Sequence, residues 1–347
     1  MATTLETFLG AYASQGGDIR HAVAGTIEQL AATAIKVRDL ISEGPLPEDL
    51  GARRGSNGEG DDQKGLDVLA DEMFLEACRA AGAAVYASEE RPEPVMLRED
   101  GLLAVAIDPV DGSSNIETNI SIGTIFSFLP TAGLQGAEPA AYFLQPGHRQ
   151  VASGFFIYGP QLALVVTMGS GAHLFVYSPA QRAFIQSPRA PRVPERTQEF
   201  AINMSNERHW DEGIRVYIED CLRGAEGPRE KDFNMRWVAS MVAECYRILN
   251  RGGVYLYPGD ARKGYRNGRL RLVYEANPIS FLIEQAGGAA TDTLHRILDI
   301  QPESLHQRVP FVFGSAHEVE RVGRYVSQPA WIAERSPLFG RRGLLRA

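Results

Sequence analysis

"AIDPVDGSSN", residues 106–115, sets two aspartates three residues apart, places a proline between them and follows with Gly-Ser-Ser-Asn. An apolar run, Leu102 to Ile107, leads into it. Asp, Pro, Gly, Ser and Asn all favour chain reversal, so the plain account is a turn after a buried strand. The same residues also suit a cation site beside a phosphate cradle. Pro109 fixes its own φ at about −65°, which lets the chain turn between Asp108 and Asp111 and offers the Val110 carbonyl as a further oxygen ligand. Gly112 permits close backbone approach, and the N–H groups of Gly112, Ser113 and Ser114 can then face an anion.

Two further apolar runs end in acids. "AAVYASEE" delivers Glu89 and Glu90, and "LRLVYE" delivers Glu275. Read as strands, all of them leave carboxylates where a sheet stops, and the acids converge if the strands are neighbours. Mg²⁺ takes hard oxygen ligands in near-octahedral geometry, which carboxylates, phosphate oxygens and water supply. The spacing is not that of an EF-hand, and no Walker A, G-x-S-x-G or H-E-x-x-H pattern occurs, so kinase, serine hydrolase and zincin chemistry lose their usual signatures.

Around these segments the periodicity predicts an α/β frame. Ile19, Val23, Ile27, Leu30, Ala34, Val37 and Ile41 mark one face of a helix over 19–41. "GPLPEDLGARRGSNGEGDDQKG", residues 44–65, reads as a mobile loop, after which Leu66, Leu69, Met73 and Ala77 resume helical spacing until Gly82. "SIGTIFSFL", "VASGFFIYG", "LALVVTM" and "HLFVYS" read as strands. The proline-rich "SPRAPRVPERT" breaks the chain near residue 195, predicting subdomains 1–195 and 196–330 with a tail at 331–347. In the second half, helices are predicted at 211–223 and 234–250, strands at "GGVYLYP" and "LRLVYE", and a helix over "NPISFLIEQAGG" that stops at paired glycines.

The 347 residues, 44% hydrophobic and 22% charged, suffice for one large α/β unit or two fused subdomains. A net charge of −8 speaks against bulk nucleic-acid binding. Neither a signal-like N-terminus nor an apolar run of bilayer length stands out, so a cytoplasmic protein without a membrane partner is expected. Cys78, Cys221 and Cys245 lie far apart and read as buried free thiols rather than a zinc cluster or dithiol switch.

"SEE" at 88–90, "DPVDGSSNI" at 108–116, "SIGTIF" at 121–126, "LQPG" at 144–147 and "GRLRLVYEANPISFLIEQAGG" at 268–288 together resemble class I fructose-1,6-bisphosphatases. The resemblance runs in order from about Asp61 to Gly314. It implies the layered α-β-α-β-α sugar phosphatase fold, commonly a homotetramer, with Mg²⁺ (or Mn²⁺) between the two halves. The implied reaction is hydrolysis of the 1-phosphate of fructose 1,6-bisphosphate to fructose 6-phosphate and phosphate by a metal-activated water.

Carried over by position, Glu89, Asp108, Asp111, Glu275 and the Val110 carbonyl resemble the metal ligands. Asp67 and Glu90 match acids that activate water, and Asp61 or Asp62 matches an acid brought in by the loop. Asp111, Gly112, Ser113 and Ser114 would hold the 1-phosphate end, with Arg271 as a charge partner. Asn206, Arg236 and Tyr257 match positions that grip the 6-phosphate, Arg236 being lent across a subunit interface. Arg269 stands where the family commonly has lysine, so a planar fork replaces a point charge.

Some positions depart from the pattern. His209 and Trp237 replace tyrosines that animal members place near the 6-phosphate. "GGDIRHA", Leu102, Leu103 and Pro130 replace the animal AMP-site residues, so AMP inhibition by that route is not expected. "TAGLQGAEPAAYF" lacks the cysteine-bearing insertion of chloroplast relatives, so thioredoxin control is not expected. A dual fructose-1,6-/sedoheptulose-1,7-bisphosphatase and another inositol-phosphatase-like sugar phosphatase stay open as alternatives.

Overall fold

A computed structural model describes residues 3–43, 53–56 and 62–328. Asp61, the side chain of Asp62 and the predicted tail 331–347 lie outside the described residues. Seven helices are described: α1 (Leu5–Ala13), α2 (Asp18–Glu43), α3 (Gly65–Ala80), α4 (Glu212–Leu222), α5 (Met241–Arg251), α6 (Asn277–Gln285) and α7 (Ala316–Ser327).

The larger sheet has eight strands, in the spatial order Ala183–Gln186, Ala172–Ser178, Leu162–Thr167, Ala152–Tyr158, Ile122–Pro130, Leu103–Asp111, Val85–Ser88, Val95–Met96. Pairing is antiparallel except between Val85–Ser88 and Leu103–Asp111, which run parallel. The smaller sheet orders Asn234–Met235, Glu199–Ala201, Val254–Tyr257, Phe311–Gly314 and Ala289–Thr291.

Side-chain parity divides the core into layers. Phe126, Phe156 and Leu164 pack outward with α1, α2 and α3, whereas their neighbours Ile125, Phe155 and Val165 pack inward with α5 and α6. The strands read as unbroken apolar runs because both faces are covered. On its other side the α5–α6 layer meets Tyr255, Phe311 and Phe313 of the smaller sheet. The far face of that sheet, through Phe200, Val254, Leu256 and Val312, packs on α4 and α7. The result is the expected α-β-α-β-α layering, with the acid-bearing strand ends beside the helical middle layer.

Three local expectations are corrected. "LRLVYE" is a strand only at Leu270–Arg271; Leu272–Ala276 is a π-helical turn leading into α6. Residues 271–276 are all buried, and a fully buried apolar run has no period to separate strand from helix. The helix predicted at 234–250 starts instead at Met241, because Asn234–Met235 pairs with Glu199–Phe200 and Ser240 caps α5. Within the predicted loop, Arg53–Ser56 pairs with Asp62–Lys64 as a hairpin, whose backbone bonds a polar, glycine-containing sequence does not advertise.

Candidate active site

The spacing of Asp108 and Asp111 is resolved by a β-bulge. Asp108 pairs with Ile125 and Asp111 with Gly123, so three steps on one strand oppose two on the other. In a regular strand residues three apart face opposite sides. The bulge absorbs one step, sending Val110 to the outer core with Val105 and Ile107 while both aspartates face the helical middle layer. Proline is tolerated there because a bulge interrupts the ladder, and the freed Pro109 carbonyl accepts the Thr124 hydroxyl at 2.8 Å.

Glu89 stands just past the strand Val85–Ser88, its N–H donating to the Ile107 carbonyl at 3.0 Å. Carboxylate oxygens of Glu89, Asp108 and Glu275 lie within 4.8 Å of one another. The π-helical turn brings Glu275 into this group, where its Oε2 accepts the Arg271 N–H at 2.5 Å. Arg271 is fully buried, with Nε 3.5 Å from Glu89 Oε1. Burial, followed by repulsion from Glu89, pushes Asp108 and Glu275 well above the usual carboxylate range. Three acids so close, two of them buried, hold charge only beside compensating cations, and their hard oxygen set fits a divalent ion.

Asp111 has a different environment. Its Oδ2 accepts the Ser240 hydroxyl at 3.0 Å and the Val242 N–H at 2.9 Å, and its Oδ1 accepts the Met241 N–H at 3.2 Å. It therefore sits at the positive end of α5. Burial raises its pKa, and these donors oppose the rise. Gly112 follows in the left-handed region at φ 77°, and a Cβ there would meet the Ser240 Cβ at 2.9 Å.

A cavity of about 610 Å³ opens over this corner. Glu89, Asp111, Gly112, Ser113, Ser114 and Glu275 line one side; Tyr257 and Arg269 line the wall from the second half of the chain. Asp108 and Arg271 are buried behind the wall, and Glu90, partly buried, adds to the repulsion felt by Asp108. Asp67 is buried in the first turn of α3. Asn206 lines a small adjoining recess shared with Tyr257, and its Oδ1 accepts from Arg262 Nη2 at 3.1 Å. Arg236 stands off the cavity wall, 46% exposed in its side chain, with Nε 3.9 Å from Glu199.

The cavity also takes residues that were not singled out as ligands. Trp237 lines it and stacks on Tyr255 at 5.9 Å with planes 9° apart. Asn203 and Arg308 line it as well, and neither belongs to a local pattern that would mark it in a sequence. Arg308 reaches the site only because its strand pairs with Leu270–Arg271, opposite Arg271.

Two family models cover nearly the whole chain: the fructose-1-6-bisphosphatase N-terminal domain over residues 11–189 and the C-terminal domain over 193–327. Both models describe parts of one enzyme family. The chain belongs to the class 1 fructose-1,6-bisphosphatase family. It is 57% identical over 345 residues to the class 1 fructose-1,6-bisphosphatase of Rhizobium meliloti and 56% identical to that of Sinorhizobium medicae, in each case covering 99% of both chains. The crystal structure of Leishmania major fructose-1,6-bisphosphatase in holo form superposes with a TM-score of 0.87 at 27% identity, covering 94% of this chain and 100% of the other.

Proposed function

We infer that this protein hydrolyses fructose 1,6-bisphosphate to fructose 6-phosphate and phosphate, with Mg²⁺ held by Glu89, Asp108, Glu275, Asp111 and the Val110 carbonyl. The observation that carries the metal assignment is the mutual 4.8 Å approach of the Glu89, Asp108 and Glu275 oxygens beside the cavity. Once bound, the ion supplies Lewis-acid stabilisation of phosphoryl charge and lowers the pKa of water. Mn²⁺ takes similar oxygen ligands.

The protein's own groups divide the remaining work. Asp67 and Glu90 orient the attacking water and accept its proton, with Asp61 or Asp62 assisting. The backbone N–H groups of Gly112, Ser113 and Ser114 hold the oxygens of the 1-phosphate, and Arg271 balances charge behind them. Asn206, Tyr257 and Arg269 hold the other phosphate. Burial raises the Tyr257 pKa, which keeps its hydroxyl a neutral donor. The exposed Arg236 suits a group lent to a second copy, which favours a homo-oligomer, as a tetramer. Of the two halves meeting near residue 195, 1–195 then carries most of the metal and 1-phosphate end, completed by Arg271 and Glu275 of 196–330, which also carries the sugar and 6-phosphate end.

Regulation follows from what stands at the departing positions. Leu102 and Leu103 supply no charge or hydroxyl for a nucleotide, and Pro130 supplies no cation. AMP is therefore expected not to inhibit. Buried thiols at Cys78, Cys221 and Cys245 favour a reducing, cytoplasmic setting without disulfide control.

The test is phosphate release from fructose 1,6-bisphosphate and sedoheptulose 1,7-bisphosphate in parallel, with Mg²⁺ or EDTA and with or without AMP. Mg²⁺-dependent, AMP-resistant release from the fructose ester is expected. Comparable release from both makes the enzyme a dual bisphosphatase, and release from neither overturns the assignment.

A further inference from the structure

Asn115 ends the short turn after Gly112 and is 7% exposed. Its Nδ2 donates to the carbonyls of Val238 at 3.1 Å and Ala239 at 3.2 Å, 123 and 124 residues along the chain. Both amide protons have an acceptor in this arrangement. The gripped segment is not relaxed: Ala239 has φ 59°, a left-handed conformation that is strained for a non-glycine residue. Other bonds hold it there. The Val238 N–H donates to Glu244 Oε1 of α5 at 3.0 Å, and Ser240 donates to Asp111 at 3.0 Å.

Residues 238–240 are thus clasped to residues 111–115. Immediately before them come Trp237, on the cavity wall, and Arg236, whose N–H donates to the Phe200 carbonyl of the smaller sheet at 2.8 Å. The clasp therefore ties the turn that ends at Asn115 to the segment carrying Arg236 and Trp237, just past the strand Asn234–Met235.

We propose that Asn115 is a positioning residue that, acting through Val238 and Ala239, fixes the segment bearing Trp237, on the wall of this cavity, and Arg236, which is offered to the 6-phosphate end of a second copy. The proposal rests on the bisphosphatase reading above. Asn115 itself is not among the residues lining the cavity. Aspartate has the same shape but would turn an oxygen toward two carbonyls, removing both bonds and adding repulsion.

The experiment is a double-mutant cycle of Asn115→Asp and Arg236→Ala in the full chain, following kcat and KM for fructose 1,6-bisphosphate. Asn115→Asp is expected to lower kcat/KM about tenfold or more, chiefly by raising KM. Added to Arg236→Ala, it is expected to cost no more than about threefold further, because the segment it positions has already lost its charge. A purely structural Asn115 gives losses that multiply, and that result overturns the proposal. If Asn115→Asp does not fold, Asn115→Ala, which removes both donors without adding charge, takes its place in the same cycle with the same expected non-additivity, and an unchanged KM for it overturns the proposal. A wild-type protein that releases no phosphate from the bisphosphate overturns the functional reading itself, and the positioning role with it.

Discussion

The carboxylate of Asp111 receives the backbone N–H of Val242 at 2.9 Å, across 131 positions of sequence. One bond thus joins the bulged end of the larger sheet to the start of the helix that fills the space between the sheets. The proposed metal site and the middle layer of the fold are held together at this point, so a change at Asp111 reaches both chemistry and packing.

Asp111→Asn separates the two. The carboxylate uses both oxygens to accept three donors, and the amide would oppose at least one of them with its own N–H groups. The expected loss of stability is about 1–3 kcal/mol, the cost of leaving buried donors unpaired. Turnover is expected to fall by about a hundredfold or more, as an anionic ligand is lost. Phosphate release and urea denaturation on the same sample check both, and wild-type turnover would remove Asp111 from the mechanism.

Removing the cation is expected to make stability depend on pH. In the cation-free protein, burial and the neighbouring acids raise Asp108 and Glu275 above the ordinary carboxylate range. Folding therefore favours their protonated forms, so the folded state binds more protons than the unfolded one. This contribution is fully present below the unfolded carboxylate pKa of about 4 and is lost as pH rises through the raised folded values. Thermal melts in EDTA are expected to show Tm falling from weakly acidic toward neutral pH, and Mg²⁺ to restore most at neutral pH. A Tm in EDTA that does not fall over that interval contradicts the account.

Glu318 of α7 tests the outer layer without touching the site. It accepts Arg229 Nη2 at 2.6 and 2.7 Å and the Tyr217 hydroxyl at 2.9 Å, and both charged side chains are 2% exposed. Glu318→Ala leaves the Arg229 charge buried beside a lost partner. A destabilisation of about 3–5 kcal/mol is expected in urea unfolding. The kcat of the protein that remains folded should be unchanged.

The cysteines are expected to be inert. Burial raises the pKa of Cys78 and Cys245 and pushes the Cys221 thiol up to about 12, keeping thiolate scarce at neutral pH. Native protein should take up no iodoacetamide at pH near 8 and keep full activity in oxidised glutathione. Mass spectrometry of the native and urea-unfolded chains checks the first point, and a phosphate-release assay the second.

Much of the frame was legible because it rests on local patterns. The period of α2 shows in Ile19, Val23, Ile27 and Leu30, and the central strands show as apolar runs because the sheet is covered on both sides. The start of α5 was not legible. Residues 234–240 look helical in isolation, yet strand pairing at Asn234–Met235 and the left-handed Ala239 delay the helix to Met241. Arg308 was silent for a similar reason: only its pairing opposite Arg271 brings it to the cavity.

Sequence by itself determined which groups are available and where the chain must turn: acids after apolar runs, a proline that interrupts a ladder, a glycine suited to a left-handed turn. These are properties of a residue and its immediate neighbours. Only the tertiary structure decided which way the groups face and whom they meet. A bulge puts Asp108 and Asp111 on one side of the sheet, a π-helical turn rather than a strand end carries Glu275, and the partners of Asp111 and Asn115 come from more than a hundred residues away. Facing and meeting depend on ladder register and layer packing, which join parts of the chain that share no local pattern.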